Sequence, residues 1–154
     1  MPQEIERKFL LANDSWRDKV DSKTSLKQGY LSSKKEATVR IRLENNSGIL
    51  AIKGKTEGVT RSEFEYIIPV EEAEQLLLLC EKQLIEKTRH IIRQGVHTWE
   101  IDEFEGENQG LIIAEIELKS EDEYFVKPTW LGEEVSEDAR YYNACLVTHP
   151  YSKW

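Results

Sequence analysis

The sequence predicts a mainly β fold of the α+β class, an eight-stranded antiparallel barrel with a charged lumen and a few covering helices. Three observations support this prediction. Charged residues recur two positions apart in most of the predicted strands, the alternate positions are apolar, and turn-forming stretches such as 45–48 (NNSG) and 54–58 (GKTEG) separate the strands. Hairpin connections make neighbouring strands antiparallel, and closing such a sheet into a barrel removes its exposed edges.

The predicted elements fill a single domain over residues 1–154, a natural length for one compact unit. Strands are predicted, in chain order, at 3–11, 25–31, 37–44, 49–54, 59–69, 85–93, 97–104 and 111–119. Helices are predicted at 14–20, at 71–83 with acidic residues in its first turn, and at 136–147 with Ser136 as its N-cap. Helix 71–83 is expected to cover or plug the barrel.

The paired charges place two like or opposite charges on one face of a strand, because residues i and i+2 point to the same side. The pairs are Glu4/Glu6 with Lys8, Arg40/Arg42, Lys53/Lys55, Glu63/Glu65, Lys87/Arg89, Glu100/Asp102 and Glu115/Glu117. On this pattern alone a solvent-facing surface is the simpler interpretation, since the polar face of an antiparallel sheet usually meets water. A lumen is the alternative, since adjacent like charges destabilise a sheet unless a counterion is bound.

Seven spaced segments resemble the CYTH superfamily, also called the triphosphate tunnel metalloenzymes. The opening EIERKFL carries the E-x-E-x-K pattern of that family, which alone is weak evidence because charged strands often show it. The other segments follow in the family's order: VRIR (39–42), LAIKGK (50–55), RSEFEYII (61–68), KTRHII (87–92), WEIDEFEG (99–106) and AEIEL (114–118). The resemblance covers residues 3–119 and implies that the charged face lines the lumen of a tunnel.

The resemblance also implies a function, the metal-dependent hydrolysis of inorganic tripolyphosphate by a metal-activated water. The expected phosphate-binding residues are Lys8, Arg40, Arg42, Lys53, Lys87 and Arg89. The expected ligands of Mg²⁺ or Mn²⁺, with two ions bound, are Glu4, Glu6, Glu63, Glu65, Asp102, Glu115 and Glu117. Lys8, Arg40, Arg42, Lys87, Glu4 and Glu6 are the expected catalytic residues. Arginine forks match phosphate oxygens, and carboxylates suit hard divalent cations.

Several alternatives stay open at this point. The family also contains thiamine triphosphatases and class IV adenylate cyclases, and a non-catalytic polyphosphate-binding module is a further possibility. A small-ligand carrier of the lipocalin type needs an apolar lumen, which an inward charged face contradicts. Among single residues, Arg7 is expected to point outward, and Glu100 to be either solvated or functional. Arg61, which shares the parity of Glu63, is expected either to form a salt bridge there or to be functional, and Tyr30 is expected at the cavity mouth.

The composition limits partners and location. A formal net charge of −8 argues against nonspecific binding to nucleic acid. No stretch reaches the length of a membrane span, and two widely spaced cysteines form neither a disulfide framework nor a zinc motif, so we expect a cytoplasmic protein.

We also expect a homodimer, because about three helices cannot cover the outer face of a whole barrel. The outward apolar residues are Val39, Ile41, Leu43, Phe64, Tyr66, Ile68, Ile112, Ala114, Ile116 and Leu118.

Overall fold

The computed structural model describes residues 2–154, apart from the side chain of Lys82. The strands in this part of the chain are β1 Gln3–Leu11, β2 Ser22–Ser32, β3 Ala37–Glu44, β4 Ser47–Gly54, β5 Thr60–Ile68, β6 Glu81–Gln94, β7 His97–Phe104, β8 Ile112–Glu117 and β9 Leu131–Glu134. The α-helices are α1 Val70–Leu78 and α2 Asn143–Thr148, and short 3-10 helices lie at Ser15–Lys19, Gly106–Asn108, Ala139–Tyr141 and Tyr151–Lys153. None of the helices described is both long and apolar enough to cross a membrane.

Eight of the strands form a closed antiparallel barrel, as predicted. Their order around the sheet is β5-β4-β3-β2-β6-β7-β8-β1, and an additional pairing between β1 and β5 closes the ring. The closing contact is short and joins Gln3–Ile5 to Thr60–Ser62. Further along β1, the strand β9, which the sequence analysis did not predict, pairs with Phe9 and Leu11.

The strand register turns the charged positions into the lumen. Lys8 lies opposite Glu115 on β8, and Glu115 lies opposite Glu100 on β7. Arg89 lies opposite Asp102 in the pairing of β6 with β7. Most of these charged side chains are buried, including Glu4, Lys8, Arg40, Arg42, Lys53, Lys87, Arg89, Asp102 and Glu115. The lumen interpretation of the charge pairs is therefore the correct one, and the solvated-face interpretation is wrong.

The chain itself covers most of the outer face of the barrel. Over β1, β6, β7 and β8, the segment after β8 and the first 3-10 helix supply Phe125, Trp130 and Trp16, which pack with Phe9 and Trp99 in one apolar cluster. The rings of Trp99 and Trp130 meet edge to face at 5.4 Å, a favourable arrangement for aromatic pairs. Over β2, β3 and β4, helix α1 covers a second cluster centred on its Ala73 and Leu77 and on Ile41 of β3.

A third apolar cluster fills one end of the lumen. Ile113 of β8, which shares the inward parity of Glu115, packs there with Ile85 and Phe104. The C-terminal segment, residues 131–154, contributes Leu146 and Val147 of α2 to the same cluster. The charged cavity therefore occupies the rest of the barrel, with the C-terminal segment at its apolar end.

Two predicted helices differ from the structure. The predicted helix 71–83 ends at Leu78, because the residues from Glu81 onward join β6 and pair with β2, for example Glu81 with Tyr30. The predicted helix 136–147 is broken by the extended backbone of Tyr142, with φ −74° and ψ 133°, and continues only as α2. Ser136 caps no helix, because its hydroxyl accepts a hydrogen bond from the backbone N–H of Lys8 at 2.9 Å.

Candidate active site

The barrel encloses a polar cavity of about 360 Å³. Nine basic and seven acidic side chains of the described residues line it, so the cavity is more basic than a chain with a formal net charge of −8. The basic residues are Lys8, Lys35, Arg40, Arg42, Lys53, Lys55, Arg61, Lys87 and Arg89. The acidic residues are Glu4, Glu6, Glu63, Glu65, Glu100, Glu115 and Glu117. The clustering of cations inside the barrel removes the apparent conflict between an acidic protein and an anionic ligand.

Two guanidinium groups on β3 are only partly neutralised. The Nη2 of Arg40 donates to Glu65 at 3.4 Å, but Glu65 is nearly half exposed and the buried Nε of Arg40 has no partner among the described residues. The Nε of Arg42 donates to the neutral Gln28 at 3.1 Å. Burial, with the neighbouring Arg40 and Arg89, lowers the pKa of Arg42 to about 10. A buried cation with so little compensation favours an anionic ligand.

Lys8 on β1 is held between two carboxylates. Its Nζ lies 3.0 Å from Glu6 and 3.1 Å from Glu115. Burial disfavours the ammonium charge, but the two carboxylates outweigh it and raise the pKa of Lys8 well above its usual range. Lys8 is therefore charged at every physiological pH, and its contact with Glu115 links β1 to the neighbouring strand β8.

Lys53 on β4 makes the equivalent contacts on the other side of β1. Its Nζ lies 3.0 Å from both Glu4 and Glu63, and Arg61 adds a contact to Glu4 at 3.4 Å. Burial raises the pKa of Glu4, but Lys53 and Arg61 help to reverse that effect, so its pKa is lowered overall. Arg61 does pair with a carboxylate, but the partner is Glu4 of β1 and not Glu63, which contacts Lys53.

Asp102 on β7 is the most completely neutralised carboxylate. Arg89 donates to both of its oxygens, at 2.8 and 2.9 Å, and the Nζ of Lys87 lies 2.7 Å away. Although burial opposes ionisation, the two cations hold the pKa of Asp102 well below its usual range. Asp102 is fully buried behind these partners and does not line the cavity. Glu100, whose role the sequence left open, does line it and pairs with Arg89 at 3.1 Å.

Glu117 at the end of β8 has the opposite surroundings. Within the described residues no basic side chain lies at ion-pair distance from it, whereas Glu4, Glu63, Glu6 and Glu100 are all nearby. Although Glu117 is exposed to solvent, its partial desolvation and these four carboxylates raise its pKa to about 7. Repulsion of this kind marks a place where a bound cation would be favourable.

The carboxylates are not arranged as a ready-made metal centre. Across residues 2–154, no group of three or more His, Cys, Asp or Glu side chains converges on a position suitable for an ion. Glu6 and Glu115 instead contact Lys8, and Glu4 and Glu63 contact Lys53. Their oxygens suit a hard divalent cation in chemistry, but binding one requires some of these contacts to be exchanged.

Apart from Tyr30, the uncharged residues of the site were not predicted from the sequence. Gln28 of β2 is fully buried beside Arg42, and Ser136, Tyr142 and Asn143 reach the cavity from the C-terminal segment. A lone amide or hydroxyl has no spacing pattern, so no sequence signal marked them. The outward direction expected for Arg7 is confirmed by its hydrogen bond to Glu134 of β9 at 2.9 Å. Tyr30 lines the cavity, but it is buried and packs in the same apolar cluster as Ile85.

Comparison with known proteins agrees with this geometry. The CYTH domain family matches residues 2–149. An inorganic triphosphatase of Acetivibrio thermocellus is 46% identical over 155 aligned positions, covering 100% of this chain and 99% of the relative. An inorganic triphosphatase of Nitrosomonas europaea is 36% identical, covering 94% of this chain and 96% of the relative. The crystal structure of the inorganic triphosphatase NE1496 superposes with a TM-score of 0.64 at 34% identity, covering 94% of this chain and 97% of that one. The chain therefore belongs to the CYTH domain family.

Proposed function

We propose that this protein hydrolyses inorganic tripolyphosphate inside its barrel and requires Mg²⁺ or Mn²⁺ to do so. The observation that carries the proposal is the pair Arg40 and Arg42, two buried and incompletely neutralised guanidinium groups that face the polar cavity of the barrel. The two inorganic triphosphatases that resemble the chain over nearly its whole length support the same activity.

The cations of the lumen have distinct parts in this proposal. Arg40 and Arg42 bind phosphate oxygens through their planar forks, while Lys8 and Lys53 act as point charges. Burial and the neighbouring Arg89 and Arg42 lower the pKa of Lys87 to about 7, so Lys87 acts as a point charge in its protonated form. Arg89 is already paired with Asp102 and Glu100, so it contributes mainly to the electrostatic potential of the site and not to direct phosphate contacts. These groups hold the phosphate chain in place and stabilise charge on the transferred phosphoryl group, which is most of what phosphoryl transfer asks of a protein.

The size of the cavity favours a compact substrate. A volume of about 360 Å³ is near the lower limit for ligand cavities, which is roughly 300 Å³. An inorganic triphosphate needs no additional pocket for a base or a thiazolium ring. We therefore rank inorganic tripolyphosphate above thiamine triphosphate and above the nucleotide of a class IV adenylate cyclase.

The acidic residues fit a divalent cation at one side of the lumen. Glu117, with its raised pKa, and the neighbouring Glu6 and Glu115 would hold one ion, and Glu4 and Glu63 are placed to contribute to a second. Bound Mg²⁺ or Mn²⁺ supplies a more acidic water and charge neutralisation at the phosphates. Glu65 sits near the solvent beside Arg40, and Asp102 is occupied by Lys87 and Arg89, so both are weaker candidates for ligands than the sequence suggested.

A phosphate-release panel tests the proposal. Tripolyphosphate, pyrophosphate, ATP and thiamine triphosphate are each incubated with Mg²⁺, Mn²⁺, Ca²⁺ or excess chelator. We expect release from tripolyphosphate with Mg²⁺ or Mn²⁺, little with Ca²⁺ because its larger and looser coordination shell positions water poorly, and none with chelator. Preferred hydrolysis of thiamine triphosphate would show that this compound, and not tripolyphosphate, is the substrate. Tight binding of tripolyphosphate without turnover would indicate a non-catalytic binding module. Full turnover in excess chelator would refute the role of the metal.

The cytoplasmic location expected from the sequence stays a prediction. Cys80 and Cys145 are both free thiols, which is compatible with a reducing compartment.

A further inference from the structure

A neutral hydrogen-bonded bridge connects two of the lumen cations through the C-terminal segment. The Oδ1 of Asn143, the first residue of α2, accepts hydrogen bonds from the Nζ of Lys87 at 2.8 Å and from the Nε2 of Gln28 at 3.2 Å. Gln28 is fully buried, and its Oε1 accepts from the Nε of Arg42 at 3.1 Å. The chain of contacts runs from β6 through α2 to β2 and β3.

We propose that Asn143, acting with Gln28, is a positioning residue for substrate binding: the two amides hold Lys87 and Arg42 in place for a phosphate chain. This inference rests on the proposed function, because it assigns these two cations to the triphosphate. Asn143 is not itself placed against the substrate, and its effect passes through the residues to which it is bonded.

The chemistry of the bridge explains why amides stand at both positions. Lys87 already has Asp102 at 2.7 Å, and a second carboxylate at the position of Asn143 would repel the negatively charged phosphate chain. An amide oxygen orients the ammonium without adding charge. Gln28 is similarly suited, since one amide group both donates to Asn143 and accepts from Arg42. Its oxygen holds the Nε of Arg42 while the two terminal nitrogens of the guanidinium remain available for a ligand.

A purely structural role for Asn143 is a poor explanation of these contacts. Helix α2 is anchored by the apolar side chains of Leu146 and Val147, which pack in the cluster at the end of the lumen. The side chain of Asn143 is not the N-cap of the helix, since Tyr142 holds that position without a side-chain bond. The polar side chain therefore reaches toward the cations although the attachment of the helix does not need it.

The test compares two substitutions at Asn143 in the full-length protein. Binding of inorganic tripolyphosphate is measured by calorimetry in excess chelator, so that no turnover occurs, and thermal unfolding is recorded in parallel. Asn143→Ala loses one acceptor to a charged group, so we expect its affinity to fall about tenfold. Asn143→Asp preserves the volume but places a carboxylate beside Lys87, so we expect an affinity loss larger than that of the alanine variant. The unfolding temperature of Asn143→Asp should nevertheless equal or exceed that of Asn143→Ala.

The order of the affinities of the two variants distinguishes a positioning role of Asn143 from a packing role. If Asn143 only supports the fold, the isosteric aspartate should bind better than the alanine, and the loss of affinity should follow the loss of stability. That result, or wild-type affinity in Asn143→Asp, would overturn the inference. Thr148→Ala, at the exposed end of the same helix, is the matched control and should bind as the wild type does.

A double-mutant cycle tests the bridge itself. If Gln28 and Asn143 act as one unit, the affinity lost in Gln28→Ala with Asn143→Ala should be smaller than the product of the two single losses. Fully additive effects would contradict the bridge. The wild-type measurement separates the two proposals: a wild-type chain that neither binds nor hydrolyses tripolyphosphate would refute the proposed function and this inference together, whereas wild-type binding with unaltered variants would refute the inference alone.

Discussion

Asp102 and Glu117 are carboxylates of the same lumen with opposite electrostatic surroundings. Asp102 is enclosed by two cations and is ionised, whereas Glu117 is surrounded by other carboxylates and has a pKa raised to about 7. The family resemblance implied one role, metal binding, for both. The structure separates them into a carboxylate that holds its neighbours together and one that is poised for a cation.

Asp102→Asn is expected to damage the fold. The substitution removes the buried counterion that Lys87 and Arg89 share, after which Lys87 can lose its proton and Arg89 keeps only Glu100. Breaking a buried pair costs about 3–5 kcal/mol, and we expect the free energy of unfolding to fall by up to that amount. Urea unfolding followed by tryptophan fluorescence measures the loss. A variant with wild-type stability but weakened metal binding would instead support the sequence-based assignment of Asp102 as a ligand.

Glu117→Gln is expected to act on metal binding and not on the fold. Because the folded-state pKa of Glu117 is raised, the metal-free protein gains less from ionising this group than the unfolded chain does, and its stability falls as the pH rises from about 4.5 to about 7. A cation binds the ionised form, so the affinity for Mg²⁺ should increase from pH 6 to pH 8 with release of a proton. Calorimetry in two buffers of different ionisation enthalpy detects that proton. In Glu117→Gln both the proton release and the pH-dependent part of the stability should be reduced.

At the scale of the elements, strand β9 fastens the start of the C-terminal segment to β1. Its Gly132 lies so close to β1 that an added Cβ would be 2.9 Å from the backbone oxygen of Leu10. Backbone cannot move aside as a flexible side chain can, and overpacking of this kind costs about 1–3 kcal/mol. Gly132→Ala should therefore lower the free energy of unfolding.

Gly54→Ala is the matched control for Gly132→Ala. Its added Cβ would meet Ser62 at an ordinary contact distance of 3.5 Å, so its stability should stay near that of the wild type. Chemical denaturation of both variants provides the comparison. Equal losses of unfolding free energy in the two variants would show that β9 is not packed unusually tightly against β1.

The elements that the sequence predicted well are those with a repeating pattern. Strands 3–11, 37–44 and 97–104 have the predicted limits, because each contains a stretch in which apolar and charged residues alternate, at 4–6, 39–44 and 99–102. The end of α1 was misplaced because the apolar run at 76–80 continues a helical pattern, while the pairing of the next residues with β2 depends on residues distant in sequence. β9 has only four residues, too few for a periodicity to show.

The charged residues of the site were predictable from the sequence because they too repeat at a regular spacing. The inward charges follow from parity once the face is assigned, and the family resemblance supplied that assignment. Gln28 and Asn143 were missed because each is a single neutral residue whose importance depends on which cation the fold places beside it. Segment 119–130, which covers the outer face with Phe125 and Trp130, was missed because it has no regular secondary structure.

At the scale of the whole molecule, the homodimer stays a prediction, and fewer exposed apolar residues support it than the sequence suggested. Ile41, Ala114 and Ile116, which were expected to need a partner, are buried by the chain's own α1 and by the Phe125 and Trp130 cluster. The outer face of β4 and β5 is less well covered, since Ile52 is 37% and Tyr66 is 53% exposed. We propose that any dimer contact uses this face.

Light scattering coupled to gel filtration at micromolar concentration checks the dimer. We expect a species of twice 18.0 kDa, converted to the single-chain mass by Tyr66→Glu, because a buried unpaired charge is costly at an apolar interface. A wild-type species of 18.0 kDa would show that the chain covers its own barrel sufficiently.

The central claim, that the charged face of the barrel is a triphosphatase site, is tested most directly by two neighbouring residues of β1. Lys8 points into the lumen between Glu6 and Glu115, whereas Arg7 points outward to Glu134 and Phe125. The measurement is kcat/KM for inorganic tripolyphosphate with saturating Mg²⁺, on variants whose folding has been verified by circular dichroism. Lys8→Ala should lose about a hundredfold or more, as is usual for a group that stabilises transition-state charge, whereas Arg7→Ala should stay within about threefold of the wild type. Equal rates for the two variants, or wild-type activity in Lys8→Ala, would contradict the account.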